Sequence, residues 1–326
     1  MPVRRNTVFA AALGATLTAA VLLAGTSLPS SADRSAPRPK DSGAQHLGDP
    51  DYGVCRGTDP ECYHDWGNFD PANDGYRILV YSRTAGPRHA HLGPALPPGL
   101  NPPLTAAHAA QSALVKLGAD NGFAVDWTED VTQLSSPSRL FRYNAVVFMS
   151  TTRDTLDDPA QTALRQYIRG GGGFVGIHNA FGTEYNWEWY EGLLGGANYY
   201  DHGRNQPGVV ETVNRRDAST AGLPARWEFA DEWYNLVPFP SRVRVLAKVD
   251  EATLPDGARG GSGHPGHGRD HPVSWCQYYD GGRSWVTTLG HAVEAWTDTP
   301  MPGDEHFTRH VLGGIESAMG RRPFCR

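Results

Sequence analysis

Four consecutive glycines at positions 170–173 stop the helical pattern before them and release the chain into Phe174, Val175, Gly176 and Ile177, which end at His178-Asn179-Ala180. An unbroken apolar run this short suits a strand covered on both faces, as in a parallel sheet. Gly176 inside the run permits a close backbone approach or a sharp turn. His178 then stands at the carboxyl end of the strand, the edge where open α/β sheets take their ligands. The competing reading is a core strand followed by a hydrogen-bonded structural histidine.

The segments around this stretch fit a layered α/β fold. Residues 76–82 form a first strand leading to a loop with Arg88, His89 and His91, and residues 104–118 repeat Ala107, Ala110, Leu114 and Leu117 at helical spacing. Strands follow at 123–127 and 145–149, and Pro159 opens a helix whose inner face carries Ala163, Leu164, Tyr167 and Ile168. This order predicts a mostly parallel sheet flanked by helices. The second half adds a short aromatic helix at 187–194, strands at 209–213 and 242–249, and a hairpin of 275–279 and 285–289 turning at Asp280-Gly281-Gly282. A helix at 304–319 closes the chain, and 257–268 reads as a mobile, glycine-rich surface loop.

With 326 residues and 39 % hydrophobic composition, the chain can bury a substantial core. The formal charge of -6 is dispersed, which argues against a nucleic-acid partner or a polybasic membrane patch. Arg4 and Arg5, an apolar run over 8–28 and Ser30-Ser31-Ala32 read as a cleaved secretory signal at 1–32; a retained anchor is the alternative. Loss of those two arginines takes the charge from -6 to -8. The resulting domain plan is a linker and stapled extension at 33–75, one domain at 76–320 and a tail at 321–326. Four cysteines in an exported chain suggest disulfides. Cys55 and Cys62 bracket a short turn-forming loop and are the favoured pair. Cys276 either pairs with Cys325 or is a buried thiol.

The chain has no G-x-S-x-G elbow, phosphate-binding Walker loop, H-E-x-x-H or C-x-x-C. The glycine run precedes a strand instead of following one, so it is no dinucleotide fingerprint. What remains is a set of histidines and acids after strands or in loops: His89, His178, His202, His291, Asp231-Glu232 and Asp270-His271. Imidazoles gathered at one sheet edge can hold a divalent metal such as zinc or act as acid and base near neutral pH. His264 and His267 read as solvated, and His306 and His310 as a helix-end pair. Trp187, Trp189, Tyr190, Trp233, Tyr234, Trp275 and Trp296 divide between core packing and a sugar platform.

Seven ordered motifs add a resemblance: Arg88-His89, VDWTED at 125–130, YIRGGGGFVGIHNA at 167–180, DEWY at 231–234, HPVSW at 271–275, TTLGH at 287–291 and RHVLGGI at 309–315. Together they resemble the ThuA-like (trehalose utilisation) family. That resemblance implies a flavodoxin-like fold, similar to class I glutamine amidotransferases, and a role in disaccharide breakdown through 3-keto-glycosides. In the amidotransferases the matching strand leads to a nucleophilic cysteine; His178 stands there, so glutaminase chemistry is not implied. Pro87, the insert at 93–103 and the Gly/His loop depart from the family pattern.

The expectation is therefore an exported carbohydrate-active protein, a hydrolase or lyase on a disaccharide, glycoside or 3-keto-glycoside; the alternative is a non-catalytic carbohydrate-binding or interaction module. His178, Glu232 and His291 are the expected catalytic residues. Arg88, His89, Asn179, Trp233, Tyr234, His271 and Trp275 are expected to bind substrate, and His89, His178 and His202 to hold a metal.

Overall fold

A computed structural model describes residues 50–326 apart from 71, 73 and 74. The expected signal peptide and nearly all of the linker lie outside the described residues. After β1 (Arg56–Gly57) come β2 (Arg77–Tyr81), β3 (Ala124–Thr128), β4 (Ala145–Met149) and β5 (Gly173–Ile177). Then follow β6 (Tyr199–His202), β7 (Gln206–Thr212), β8 (Arg226–Asp231), β9 (Tyr234–Leu236), β10 (Arg244–Asp250), β11 (His271–Tyr279) and β12 (Gly282–Thr287). The main helices are α1 (Ala109–Asn121), α2 (Pro137–Leu140), α3 (Asp158–Arg169), α4 (Glu188–Leu193) and α5 (Asp304–Ala318).

The large sheet runs β3-β2-β4-β5-β12-β11-β10-β7-β8, with β1 on β11. Pairing is parallel from β3 through β5 to β12 and antiparallel from β12 outward. The fold is the expected α/β, flavodoxin-like class, and its antiparallel wing is wider than the predicted hairpin. Alternate residues of each central strand feed different cores, as the period of two requires. Ile78, Val80, Val147, Val175 and Ile177 pack with Ala110 and Leu114 of α1 and Phe307 and Ile315 of α5. Leu79, Val146, Phe148 and Phe174 pack with Leu164 and Ile168 of α3 and Trp189 of α4 on the other face.

The glycines of the central stretch are explained by contact. A Cβ at residue 173 would stand 2.3 Å from the Ala318 carbonyl oxygen, and one at 176 would stand 3.0 Å from Val286 on β12. The end of α5 therefore comes closer than a side chain at 173 would allow, and β12 leaves one at 176 little room.

β8 was not among the expected strands. Arg226 and Glu228 are exposed while Trp227, Phe229 and Asp231 are buried, the period-two alternation of an edge strand. β6 and β9 form a separate two-stranded ribbon, too short for a periodic signal. β11 begins at His271, before the expected 275. Cys55–Cys62 and Cys276–Cys325 are both bonded, which answers the open question about Cys276 and suits an oxidising, extracellular setting. No described helix is long and apolar enough to cross a membrane.

The predicted mobile loop at 257–268 is instead tied down. Asp201 on β6 accepts hydrogen bonds from the backbone N–H groups of Ser262 and His264, and Asn235 on β9 donates to the Ala258 carbonyl. Glycines are needed because the loop presses onto β6: a Cβ at residue 260 would overlap the Asp201 carboxylate.

Candidate functional site

His178 follows β5 directly and takes a left-handed backbone, φ +51. For a residue other than glycine this costs on the order of 1 kcal/mol and concentrates at functional turns. His178 is fully buried, and its Nδ1 lies 2.8 Å from the Thr288 carbonyl oxygen. A carbonyl only accepts, so Nδ1 carries the proton and Nε2 presents a bare lone pair. That lone pair faces His89 Nε2 at 3.2 Å and Tyr234 Oη at 3.0 Å. Burial, and then the neighbouring His89, His91 and His291, push His178 well below the usual histidine range, so it stays neutral.

His89 caps the short turn Ala90–Leu92 after β2. Burial and then His291 lower its pKa to about 4, and its Nδ1 has no hydrogen-bond partner. His91 lies behind it, buried, donating from Nδ1 to the His291 carbonyl and accepting at Nε2 from Ser150 Oγ, both at 2.9 Å. Its two bonds leave it no free nitrogen, so it braces the site without facing it.

Glu232 sits on the turn between β8 and β9. Its Oε2 lies 3.0 Å from His291 Nδ1, 3.4 Å from His202 Nε2 and 3.9 Å from His178 Nε2. The His291 contact has ion-pair distance without hydrogen-bond alignment. Burial pushes the Glu232 pKa up, but His291, His202 and His89 outweigh it and hold the group as a carboxylate. His291 responds in the opposite sense: burial lowers it, Glu232 outweighs that, and its pKa ends raised. Asp231 next door is wholly buried and accepts from the N–H groups of Gly290 (2.7 Å), Glu232 (2.8 Å) and His291 (3.3 Å). Burial lifts its pKa to about 7. It joins the end of β8 to the loop after β12, and so brings Glu232 and His291 together.

One donor atom from each of His89, His178, Glu232 and His291 lies within 4.8 Å of the others. Three imidazoles and a carboxylate are a donor set suited to zinc or a related divalent ion. The expected metal set named His202 instead. His202 touches the group only through Glu232, because its Nδ1 is turned to the Gly203 carbonyl at 2.5 Å.

Beside this group is a cavity of about 270 Å³ lined by His89, Asn179, Tyr185, Tyr199, His202, Glu232 and Tyr234, with Arg153 among its other lining residues. Tyr234 Oη stands between His178 Nε2 and Asn179 Oδ1, 3.3 Å away, so its single proton can serve either acceptor.

Four expected substrate residues lie elsewhere. Arg88 is consumed by Glu129 at 2.7 Å and by the carbonyls of Leu92, Gly93 and Pro94, and it shapes the loop that presents His89. Trp233 is buried, with Nε1 donating to the Gln206 carbonyl, and Trp275 likewise donates to that of Leu194. Both fill core. His271 lies behind Tyr234, between Glu251 Oε1 at 2.6 Å and the Tyr234 carbonyl at 3.0 Å. His267 is not solvated: its Nε2 accepts from the Leu236 N–H at 2.9 Å, and burial lowers its pKa to about 4. His306 and His310 do not act together, since His310 is buried against Trp285 and bonds the Ser219 carbonyl while His306 packs on Trp227. Arg153, Tyr185 and Tyr199 were missed as pocket residues. The only hint was that Ser150-Thr151-Thr152 ends a central strand.

The profile of the trehalose utilisation family matches residues 101–318. No curated protein matches the chain. A ThuA-like protein from Bacteroides uniformis is 23 % identical with a TM-score of 0.55, over 74 % of this chain and 91 % of that one. Another from Parabacteroides merdae is 17 % identical with a TM-score of 0.54, over 76 % and 91 %. At these identities the two structures share the fold. With two thirds of its length matched by the family profile, the chain belongs to the ThuA (trehalose utilisation) family.

Proposed function

We propose that the protein is an exported carbohydrate-active enzyme that acts on a glycoside or 3-keto-glycoside beside a divalent cation held by His89, His178, Glu232 and His291. The observation that carries this reading is the tautomer of His178, whose bond to Thr288 leaves Nε2 bare and aimed at the other donors. A bound cation would polarise a sugar carbonyl or hydroxyl oxygen. The protein's own groups do the rest. Tyr234 and Asn179 orient the sugar at the cavity floor, and Tyr185 and Tyr199 supply ring faces to its C–H surface. His202, whose Nε2 lies 3.4 Å from Glu232 Oε2, lines the same cavity and can exchange a proton with that carboxylate. Drug-sized ligands occupy roughly 300–1,000 Å³, so a cavity of about 270 Å³ suits a single sugar ring, with the remainder of a disaccharide outside. Two disulfides agree with export.

The test is elemental analysis of purified protein before and after chelation, with turnover of 3-keto-disaccharides followed in parallel. One divalent ion per chain and chelator-sensitive turnover are expected, both abolished in a folded His178→Ala variant. Full turnover in that variant would overturn the site, and saturable sugar binding without product would replace the enzyme by a binding module.

A further inference from the structure

The loops after β4 and β5 are cross-linked by backbone: Arg153 N–H donates to the Gly182 carbonyl at 2.8 Å, and Glu184 N–H to the Arg153 carbonyl at 3.2 Å. Both Arg153 and Glu184 hold a left-handed backbone, φ +63 and +53. Strain of this kind, of order 1 kcal/mol per residue, persists only where the surroundings impose it. Glu184 has an evident structural return, because its carboxylate accepts from the N–H groups of Thr155 and Leu156 and from the Gln161 amide. Arg153 has none: no carboxylate or carbonyl among the described residues takes its guanidinium in an ion pair or hydrogen bond. Its stem instead crosses Gly86, where a Cβ would come within 2.5 Å of Arg153 Cγ, and Arg153 lines the same cavity as Glu232. The glycine leaves room for the arginine's stem beside the cavity.

The charge inventory of the cavity gives this arginine a purpose. Glu232 is the only carboxylate among the lining residues, and His291 and His202 already engage it. No lining acid is left to clamp the hydroxyls of a neutral sugar, while one cation stands open. The whole chain carries -6, so an anionic ligand would be repelled at range and needs a local positive group to enter.

We propose that Arg153 is a specificity residue for an anionic substituent, so that the substrate of this site is a sugar bearing a carboxylate or a phosphate. This rests on the carbohydrate reading above. The guanidinium presents its planar fork to the anion, a bidentate pairing that a lysine does not reproduce. The sugar ring then lies between that anchor and the His89/His178/Glu232/His291 group.

Calorimetry with methyl glucuronide, glucose 6-phosphate and methyl glucoside tests this on the wild-type protein and on Arg153→Met and Arg153→Lys. The wild type should bind one of the two anionic sugars at least tenfold more tightly than the neutral one, and which of them wins separates carboxylate from phosphate. Arg153→Met should lose that preference and keep its affinity for the neutral sugar, with Arg153→Lys in between. Equal wild-type affinities for all three sugars, or an unchanged preference in Arg153→Met, would overturn the role of Arg153 and leave the carbohydrate reading standing. Failure of all three to bind would overturn both. Because Arg153 is exposed, neither variant endangers the fold.

Discussion

Replacing His271 by alanine should cost about 3 kcal/mol of stability and loosen the site without touching it. The ring is fully buried and lies between two groups that only accept, Glu251 Oε1 at 2.6 Å and the Tyr234 carbonyl at 3.0 Å. It therefore donates at both ends. Four residues earlier, His267 Nε2 accepts from the Leu236 N–H. The carbonyl of Tyr234 and the N–H of Leu236 point to the same side of β9, so the two side chains satisfy its free edge as a third strand would. Losing a hydrogen bond to a carboxylate costs roughly 1.5–3 kcal/mol, and losing the one to a carbonyl about 1 kcal/mol more. The lower end applies because Glu251 is 17 % exposed and keeps the His267 N–H at 2.6 Å. Urea unfolding followed by tryptophan fluorescence measures the loss. Since His271 fixes the strand that carries Tyr234, whose hydroxyl bonds His178, affinity for added zinc by calorimetry should also fall, by less than the roughly tenfold cost of removing a ligand's own hydrogen-bond partner. A loss below about 1 kcal/mol with unchanged zinc affinity would refute the hydrogen-bond accounting, because a group donating twice from a buried position cannot be that cheap to remove.

The two disulfides should differ in worth. Chain-entropy arithmetic gives about 4 kcal/mol for closing the 49-residue separation of Cys276–Cys325 and about 2.5 kcal/mol for the seven-residue separation of Cys55–Cys62. Urea midpoints of the paired Cys→Ser variants check the order, and the reverse order would discredit the loop argument. Asp126 should contribute to acid sensitivity: burial raises its pKa, but bonds from Asn101, Arg77 and Tyr143 outweigh that and leave it lowered. A folded value below the unfolded one, near 3.9, means stabilisation that is complete above that range and is lost as pH falls through the lowered value. Asp126→Asn should therefore be less stable than wild type at neutral pH, with the gap narrowing in acid. Parallel stability curves down to pH 2 would rule this out.

Most of the parallel half was legible residue by residue. β2, β4, β5 and α3 follow from unbroken apolar runs and from Ala163, Leu164, Tyr167 and Ile168 at helical spacing, because local backbone preference and burial agree there. α1 was displaced: the sequence suggested 104–118, whereas the helix runs Ala109–Asn121 and ends at Gly122 in the left-handed region. Gly118 looked like the stop, but it lets α1 approach Val125 and Phe123. A glycine used for contact and one used for termination look alike in a sequence.

What the sequence determined by itself was the layered α/β fold, the position of His178 at a strand's ligand-binding end, and the local pairing of Cys55 with Cys62. All three depend on neighbours within a few residues. Tertiary structure decided which polar groups meet. Asp231, between Ala230 and Glu232 in the chain, is the link that draws His291 to Glu232, and the Thr288 carbonyl settles which nitrogen of His178 is bare. His202 remains at the wall, and Arg88, Trp233 and Trp275 are taken up by carbonyl and core partners. The physical reason is that a side chain's role is set by which acceptors and donors surround it, and those are supplied by β8, β9 and the loop after β12, which only the sheet pairing brings to the end of β5.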